Sequence, residues 1–122
     1  MCNIPDGQKE FDSAALKFIL KHCAPELESD ADAIEVVSRD FSGAGFFVEY
    51  KRSPNPRCIG DNRNISTPIY ADIAELKWGV GFVLYIADGE IFELEGFTHG
   101  PESWPSKITD YQFRDMRDEL TS

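Results

Sequence analysis

The stretch "GVGFVLYIADGEIFELEGF", residues 79–97, decides the fold of this chain. Two runs rich in β-branched and aromatic residues flank Asp88-Gly89, and such runs favour strands. Asp-Gly is a preferred dipeptide for a two-residue type I′ turn, because both turn positions need a positive φ. The stretch therefore predicts an antiparallel hairpin with strands at residues 79–86 and 90–97.

A two-residue turn fixes the strand register, and the register predicts two different faces. The predicted cross-strand pairs are Tyr85 with Phe92, Val83 with Leu94 and Gly81 with Gly96 on one face, and Leu84 with Glu93 and Phe82 with Glu95 on the other. The first face is apolar and ends in a glycine notch, which we expect to seat the N-terminal helix. The second face is mixed, because it carries two glutamates among large apolar side chains. It suits contact with solvent, the C-terminal segment, a second copy of the chain or a partner.

An amphipathic helix is predicted before the hairpin, over residues 11–23. The apolar residues at the spacing of one helical face are Leu16, Ile19, Leu20 and Cys23. Asp12 or Ser13 is the expected N-cap, with an earlier start near Asp6 as the alternative. Pro25 ends the helix, because the residue before a proline avoids the helical region.

Two further strands are predicted at residues 33–41 and 46–52, joined by the turn-like sequence "SGAG". Three prolines lie within residues 53–68, which we expect to be the longest loop. The cations in this loop and just before it predict a basic patch on an acidic molecule: Lys51, Arg52, Arg57 and Arg63.

Two segments fit more than one kind of element. Residues 69–76 fit a strand or a short helix, and we predict a strand. Residues 106–122 alternate loosely like a strand, yet their apolar side chains also fit one side of a terminal helix. Together the elements predict a single α+β domain over residues 1–122. It has two layers, a mainly antiparallel twisted sheet of about five strands and the N-terminal helix packed on one face.

The acidic composition opposes binding to nucleic acid. The chain has 12 Lys and Arg against 22 Asp and Glu, a formal charge of −10. This charge opposes binding to nucleic acid, since phosphate contacts require cations.

The sequence shows neither a signal peptide nor a run long enough to span a membrane. The three cysteines form no CxxC pair, so we expect free thiols and a cytoplasmic protein.

Candidate catalytic and ligand-binding residues are few. Glu93 and Glu95 lie two residues apart on one strand face, but their similar surroundings do not give the separated pKa values that acid–base catalysis needs. His99, near Glu95 and Glu102, is the alternative ligand site, as a general base or a metal ligand. Companions for a metal centre, a nucleophile motif and a phosphate-binding loop are all missing. We therefore predict no catalytic residue, no metal and no cofactor.

The sequence "GFTHGPESWP", residues 96–105, follows the hairpin and fits two interpretations. In the first, its two glycines and two prolines bend and stiffen a structural corner, with Trp104 tucked beneath the turn. In the second, Trp104 is exposed and anchors a partner, and Glu93, Glu95 and Glu102 supply negative charge around it.

The run "GFVLYIADGEIFELEGFTHGPESWP", residues 81–105, resembles a motif of small acidic bacterial proteins of uncharacterised families. A hydrophobic hairpin, a Leu-Glu-Gly-aromatic step and a Trp-Pro pair carry the resemblance, which covers about residues 71–105. Some similar proteins are immunity partners of bacterial toxins. The resemblance implies an α+β fold and no chemistry. An immunity role would suit the acidity, because many toxins are basic and complementary charge directs association.

Three functional hypotheses follow. The first is a non-enzymatic protein-binding domain, in the immunity-like case an inhibitor of a basic bacterial toxin, with partner contacts at Glu93, Glu95, Glu102 and Trp104. The second is a small enzyme or a metal- or ligand-binding protein that uses His99 with Glu95 or Glu102. The third is a self-associating module whose second sheet face forms a homodimer.

Overall fold

The computed structural model describes residues 4–56 and 58–120. Its elements are helix α1 (Gln8–Cys23), a 3₁₀ helix (Pro25–Asp32), strands β1 (Val36–Ser42), β2 (Gly45–Tyr50), β3 (Arg63–Ile73), β4 (Val80–Ala87), β5 (Glu90–Thr98) and β6 (Tyr111–Asp115), and helix α2 (Met116–Leu120). The strands form an antiparallel sheet in the order β1-β2-β5-β4-β3-β6. The predicted α+β class is confirmed, with six strands in the described ranges rather than about five.

The core lies between α1 and one face of the sheet, and Phe11 is at its centre. Phe11 is fully buried. The aromatic rings whose centroids lie 5.1 to 6.3 Å from that of Phe11 are Phe46, Phe82, Trp104, Tyr111 and Phe113. Each ring buries a large apolar area. The predicted apolar stripe of the first helix is therefore the element that joins the strands into one core.

Helix α1 begins earlier than residue 11. Its N-cap is Gly7, which has a φ of 85° in the left-handed region. The predicted caps Asp12 and Ser13 are wrong, and the earlier start is confirmed. Asp12 is instead buried within the helix, where it accepts hydrogen bonds from Arg39 Nε at 2.8 Å and Nη2 at 2.9 Å. A buried carboxylate needs such a partner, so this ion pair fastens α1 to β1.

The β4–β5 hairpin is confirmed, and its turn has the predicted conformation. Asp88 has a φ of 52° and Gly89 a φ of 79°. Two successive residues with positive φ are what a type I′ turn requires. The Asp-Gly dipeptide therefore fixes where the two strands begin to pair.

A β-bulge then shifts the register of β5 by one residue, so the predicted pairs beyond it are wrong. The pairs are Ile86 with Ile91, Tyr85 with Glu93, Leu84 with Leu94 and Val83 with Glu95. Phe92 has no cross-strand partner and is the extra residue. Helix α1 covers the face of Phe82, Leu84 and Ile86, so the prediction that it packs on the face of Tyr85 and Val83 is wrong. In the predicted register Glu93, opposite Leu84, would therefore face the core, where an unpaired carboxylate is costly. The bulge turns Glu93 to the other face and lets Ile91 and Leu94 both enter the core.

The predicted glycine notch does not form, because the register shift turns its two members to opposite faces. Gly81 pairs with Phe97 rather than with Gly96. A Cβ atom at Gly96 would overlap the Phe46 ring, so this glycine makes room for a core aromatic and not for the helix backbone. Gly81 lies beneath the rings of Phe97 and His99 on the other face.

The predicted long loop ends early, because residues 63–68 belong to β3. Pro68 is accommodated by an irregularity in the pairing of β3 with β4, as is usual for proline in a sheet.

The expected basic patch is neutralised by acidic partners: Lys51 pairs with Glu35, Arg52 with Asp88, and Arg63 with Asp61 and Glu26. Cys23 and Cys58 are free, as predicted. Arg57 and Cys2 lie outside the described residues.

The C-terminal segment contains both elements that the sequence left open. Strand β6 extends the sheet beside β3, and α2 follows it. Strand β6 therefore lengthens the sheet, and its Phe113 ring packs in the core on the α1 side, with its centroid 6.3 Å from that of Phe82. The predicted strand at residues 69–76 is confirmed as far as Ile73. No helix within the described ranges is long and apolar enough to cross a membrane.

Candidate functional site

We call the sheet surface that points away from α1 the open face. Side chains alternate between this face and the core along each strand. In β5, Leu94 and Gly96 are buried, whereas Glu93 and Glu95 are partly exposed. An antiparallel sheet commonly has one face packed on a core and one face available to water or a partner.

Four carboxylates from three neighbouring strands form what we call the acidic cluster: Asp40, Glu49, Glu93 and Glu95. Glu49 of β2 lies directly opposite Glu93 of β5. Asp40 and Glu95 lie on either side of Phe47, as its partners on β1 and β5. Like charges directly opposite each other destabilise a sheet. Stability of the fold therefore does not account for this arrangement.

The carboxylates of the acidic cluster disfavour ionisation of the acidic groups beside them. Partial burial raises the pKa of Glu93 above the usual glutamate range, and Glu49, Glu95 and Asp40 raise it further. Tyr85 lies beside the cluster and donates its hydroxyl hydrogen to Glu95 Oε1 at 3.0 Å. Partial burial, and then this hydrogen bond to Glu95, raise the pKa of Tyr85. A cation at this surface would be favoured by the same charges.

An apolar cavity of about 370 Å³ lies next to the acidic cluster. We call it the aromatic pocket, and its side chains include Tyr70, Trp78, Val83, Phe97, His99 and Met116. The Tyr70 and His99 rings are stacked with centroids 5.4 Å apart, and Phe97 meets His99 edge to face at 5.5 Å. A Cβ atom at Gly81 would lie 2.8 Å from atoms of both His99 and Phe97. The absence of a side chain at Gly81 therefore lets the rings close over the β4 backbone.

Glu102 holds one wall of the aromatic pocket in place. Its carboxylate accepts hydrogen bonds from the backbone amides of Lys77 at 2.8 Å and Trp78 at 3.0 Å. The Tyr70 hydroxyl donates a hydrogen bond to the Trp78 carbonyl at 2.8 Å. Hydrogen bonds to a carboxylate are stronger than neutral ones. Trp78 is thus fixed through its backbone, although half of its surface is exposed.

Trp104 packs on the core side of the sheet. Its ring centroid lies 4.8 Å from that of Phe46 and 6.1 Å from that of Phe11, and Nε1 donates a hydrogen bond to Gln8 Oε1 at 2.9 Å. A buried indole nitrogen usually has such a partner. The loop after β5 is therefore the structural corner that the sequence offered as one of two interpretations.

The structure places the predicted contact residues in three regions: Glu93 and Glu95 in the acidic cluster, Glu102 behind the aromatic pocket, and Trp104, partly buried, against the core. Sequence reasoning missed Asp40 and Glu49, because strand pairing brings them beside Glu93 from distant parts of the chain. One signal was available: in "FFVEY" Glu49 alternates with the apolar residues that enter the core. Tyr70 and Trp78 were also missed, since they meet only when the sheet forms.

His99, the alternative ligand site, is part of the aromatic pocket rather than of an acid–base pair. Its backbone amide donates to the Gly79 carbonyl at 3.1 Å. The carboxylate of Glu102 already binds two backbone amides. In residues 4–56 and 58–120, no group of three or more His, Cys, Asp and Glu side chains is arranged to hold a metal ion.

Comparisons with models of known protein families, with curated proteins and with solved structures gave no match. The charges and the shape of the open face are therefore the features that point to a function.

Proposed function

We propose that this protein is a non-enzymatic binding domain that engages a basic segment of a partner protein through its open face. The acidic cluster is the observation that carries the proposal. Its four carboxylates converge from three strands, and none of them forms a salt bridge with a cation of the described ranges. Other acids of the molecule do form such pairs, for example Asp12 with Arg39.

The acidic cluster lowers the stability of the fold, as binding sites commonly do. The direct opposition of Glu49 and Glu93 lowers stability by a few tenths of a kcal/mol. Features that lower stability are commonly retained where function requires them. A lysine or arginine of a partner would relieve this repulsion and form charge-assisted hydrogen bonds. It would also be drawn to the surface by long-range attraction, which speeds association.

The charge of the open face favours a basic protein over other partners. Nucleic acid carries the same sign of charge and would be repelled. A second copy related by a two-fold axis would bring two acidic clusters together, which argues against a homodimer through this face. A basic bacterial toxin is one partner of the favoured class, and the protein would then act as an immunity-type inhibitor.

A capture experiment with matched charge reversals tests the proposal. Wild type, the double variant Glu93→Lys with Glu95→Lys, and the double variant Glu28→Lys with Asp32→Lys are immobilised and exposed to a lysate of the source cells. Both variants change the net charge equally, but Glu28 and Asp32 belong to the exposed 3₁₀ helix. We expect basic proteins to be retained by wild type and by the 3₁₀ variant, to be lost from the open-face variant, and to elute as salt rises.

Circular dichroism and thermal melting of each variant establish that the fold is intact. Equal retention by the two double variants would contradict the proposal. In that case binding would follow the net charge of the molecule and not the position of the carboxylates on the open face.

A further inference from the structure

We propose that the aromatic pocket receives an apolar side chain of the same basic partner. The recognised segment would then combine one hydrophobic residue with lysine or arginine on one side of it. This inference rests on the proposed function, and it specifies which basic segments the open face selects. Charge attracts many basic proteins, whereas a shaped apolar pocket distinguishes among them.

The pocket and the acidic cluster form one continuous surface. Val83 lines the pocket and is the cross-strand partner of Glu95. Phe97 follows Glu95 by two residues on β5, so both side chains point to the open face, about 7 Å apart. An extended segment of a few residues can therefore place a basic side chain on the cluster and an apolar side chain in the pocket.

The walls of the pocket suit an apolar side chain. Aromatic rings and aliphatic side chains form most of the lining, and the 370 Å³ cavity has room for a leucine or an aromatic ring. Trp78 is 50% exposed and Met116 38% exposed, so apolar surface at the rim is in contact with water until a partner covers it. An apolar anchor in a pocket beside charged groups is where interfaces concentrate binding free energy.

The charges around the pocket set the direction of the bound segment. On the side away from the acidic cluster, Lys77 Nζ lies 5.1 Å from the Trp78 ring centre, and the Arg114 guanidinium lies 4.8 Å from that of Tyr70. Arg114 also pairs with Asp72 at 3.0 Å. This side offers basic residues no net attraction, in contrast with the acidic side. The basic residues of the segment therefore lie over β2 and β5, and its apolar residue lies toward β3.

Defined peptides test the inference by NMR titration of the isotope-labelled protein. The probes are Lys-Lys-Gly-Leu-Gly and its serine counterpart Lys-Lys-Gly-Ser-Gly, together with the same two sequences reversed, since either chain direction is allowed. We expect at least one leucine peptide to bind about tenfold or more tightly than its serine counterpart, because burial of a leucine side chain changes affinity by that order. The largest amide shifts should include residues that line the pocket.

Two variants alter the pocket in opposite ways. Trp78→Ala removes a wall, and Gly81→Ala places a methyl group against His99 and Phe97. Each should reduce the advantage of the leucine peptide to about threefold or less and leave the affinity of the serine peptide unchanged. The double variant Glu93→Gln with Glu95→Gln should instead weaken both peptides.

The outcomes separate the inference from the proposed function. Equal affinity of leucine and serine peptides for wild type, with both weakened by the Glu93 and Glu95 changes, would overturn the pocket and leave the acidic cluster. Affinities that do not respond to the Glu93 and Glu95 changes would overturn the proposed function. Amide shifts that are absent for all four peptides at millimolar concentration would overturn both.

Discussion

The carboxylates on the two faces of the sheet have opposite surroundings. On the α1 side, the buried carboxylate of Asp12 accepts two hydrogen bonds from Arg39 and one, at 3.2 Å, from Gln8 Nε2. On the open face, Glu93 lies directly opposite Glu49, and its pKa is raised by partial burial and by neighbouring carboxylates. The first arrangement stabilises the fold, and the second destabilises it. In the proposed function, one face of the sheet supports the fold and the other binds the partner.

The β-bulge at Phe92 keeps the two faces distinct. Strict alternation along β5 would place Ile91 and Glu93 on the same side of the sheet. With one extra residue, Ile91 and Leu94 are both in the core, and Glu93 joins Glu95 on the open face. A single unpaired residue thus keeps apolar side chains of β5 in the core and its glutamates on the open face.

Breaking the ion pair on the α1 side has the largest expected effect. Asp12→Ala leaves the Arg39 guanidinium largely buried without its carboxylate, and we expect the free energy of unfolding to fall by about 3–5 kcal/mol. Urea denaturation measures this loss. Asp40→Ala is the same chemical change on the open face, and it should leave stability unchanged or slightly higher, because it removes a like charge from the acidic cluster. Equal losses for the two variants would contradict the difference between the faces.

The two glycines in the strands of the hairpin, Gly81 and Gly96, provide a second comparison. Gly96→Ala places a methyl group into the Phe46 ring, and overpacking of a core lowers the free energy of unfolding by about 1–3 kcal/mol. Gly81→Ala should be less costly, because the Phe97 and His99 rings above it belong to the open face and can move. Thermal melting of the two variants side by side gives the answer. An equal or larger loss for Gly81→Ala would mean that the open face is packed as tightly as the core.

Neutralising one member of the acidic cluster should stabilise the protein slightly. Glu93→Gln removes the repulsion across the β2–β5 pair, and we expect a gain of about 0.5 kcal/mol, or about 2–4 °C in melting temperature. Glu28→Gln in the 3₁₀ helix is the matched control and should change neither quantity. If Glu93→Gln melted below wild type, the carboxylate would be stabilising and the interpretation of the cluster would be wrong.

The dependence of this gain on pH follows from the raised pKa of Glu93. A carboxyl group whose pKa is higher in the folded than in the unfolded chain binds protons more tightly when folded. It therefore lowers stability at neutral pH, and this penalty disappears as the pH falls through the raised pKa. The advantage of Glu93→Gln over wild type should accordingly be largest near pH 7 and shrink under acid. An advantage that grew as the pH fell would indicate a lowered pKa instead.

The elements that the sequence predicted are those with strong local signals. Asp88-Gly89 fixed the hairpin turn by its conformational preference, and the spacing of Leu16, Ile19 and Leu20 gave the helix stripe. The bulge at Phe92 escaped prediction because it depends on which face α1 covers, and that is decided by tertiary packing. One local signal was available. The buried apolar residues Ile91 and Leu94 lie three positions apart in β5, whereas a regular strand would bury every second residue.

The candidate site was predicted only in part for a similar reason. Glu93 and Glu95 lie on one strand, so their proximity follows from sequence alone. Glu49 joins them through the pairing of β2 with β5, which connects strands from different hairpins. Trp104 is a residue type that often anchors a partner, but its contacts with Gln8 and Phe46 hold it against the core. Long-range pairing of this kind leaves little trace in a single sequence.

Mapping where a basic probe binds tests the central claim most directly. The 3₁₀ helix Pro25–Asp32 is also acidic, so it competes with the acidic cluster within the same molecule. Titration of the labelled protein with tetralysine should shift the amides of β2 and β5 around Glu49 and Glu93 first and most, because the carboxylates there repel one another and gain most from a cation. Larger shifts in the 3₁₀ helix, or shifts spread evenly over all acidic residues, would contradict the assignment of the open face as the binding surface.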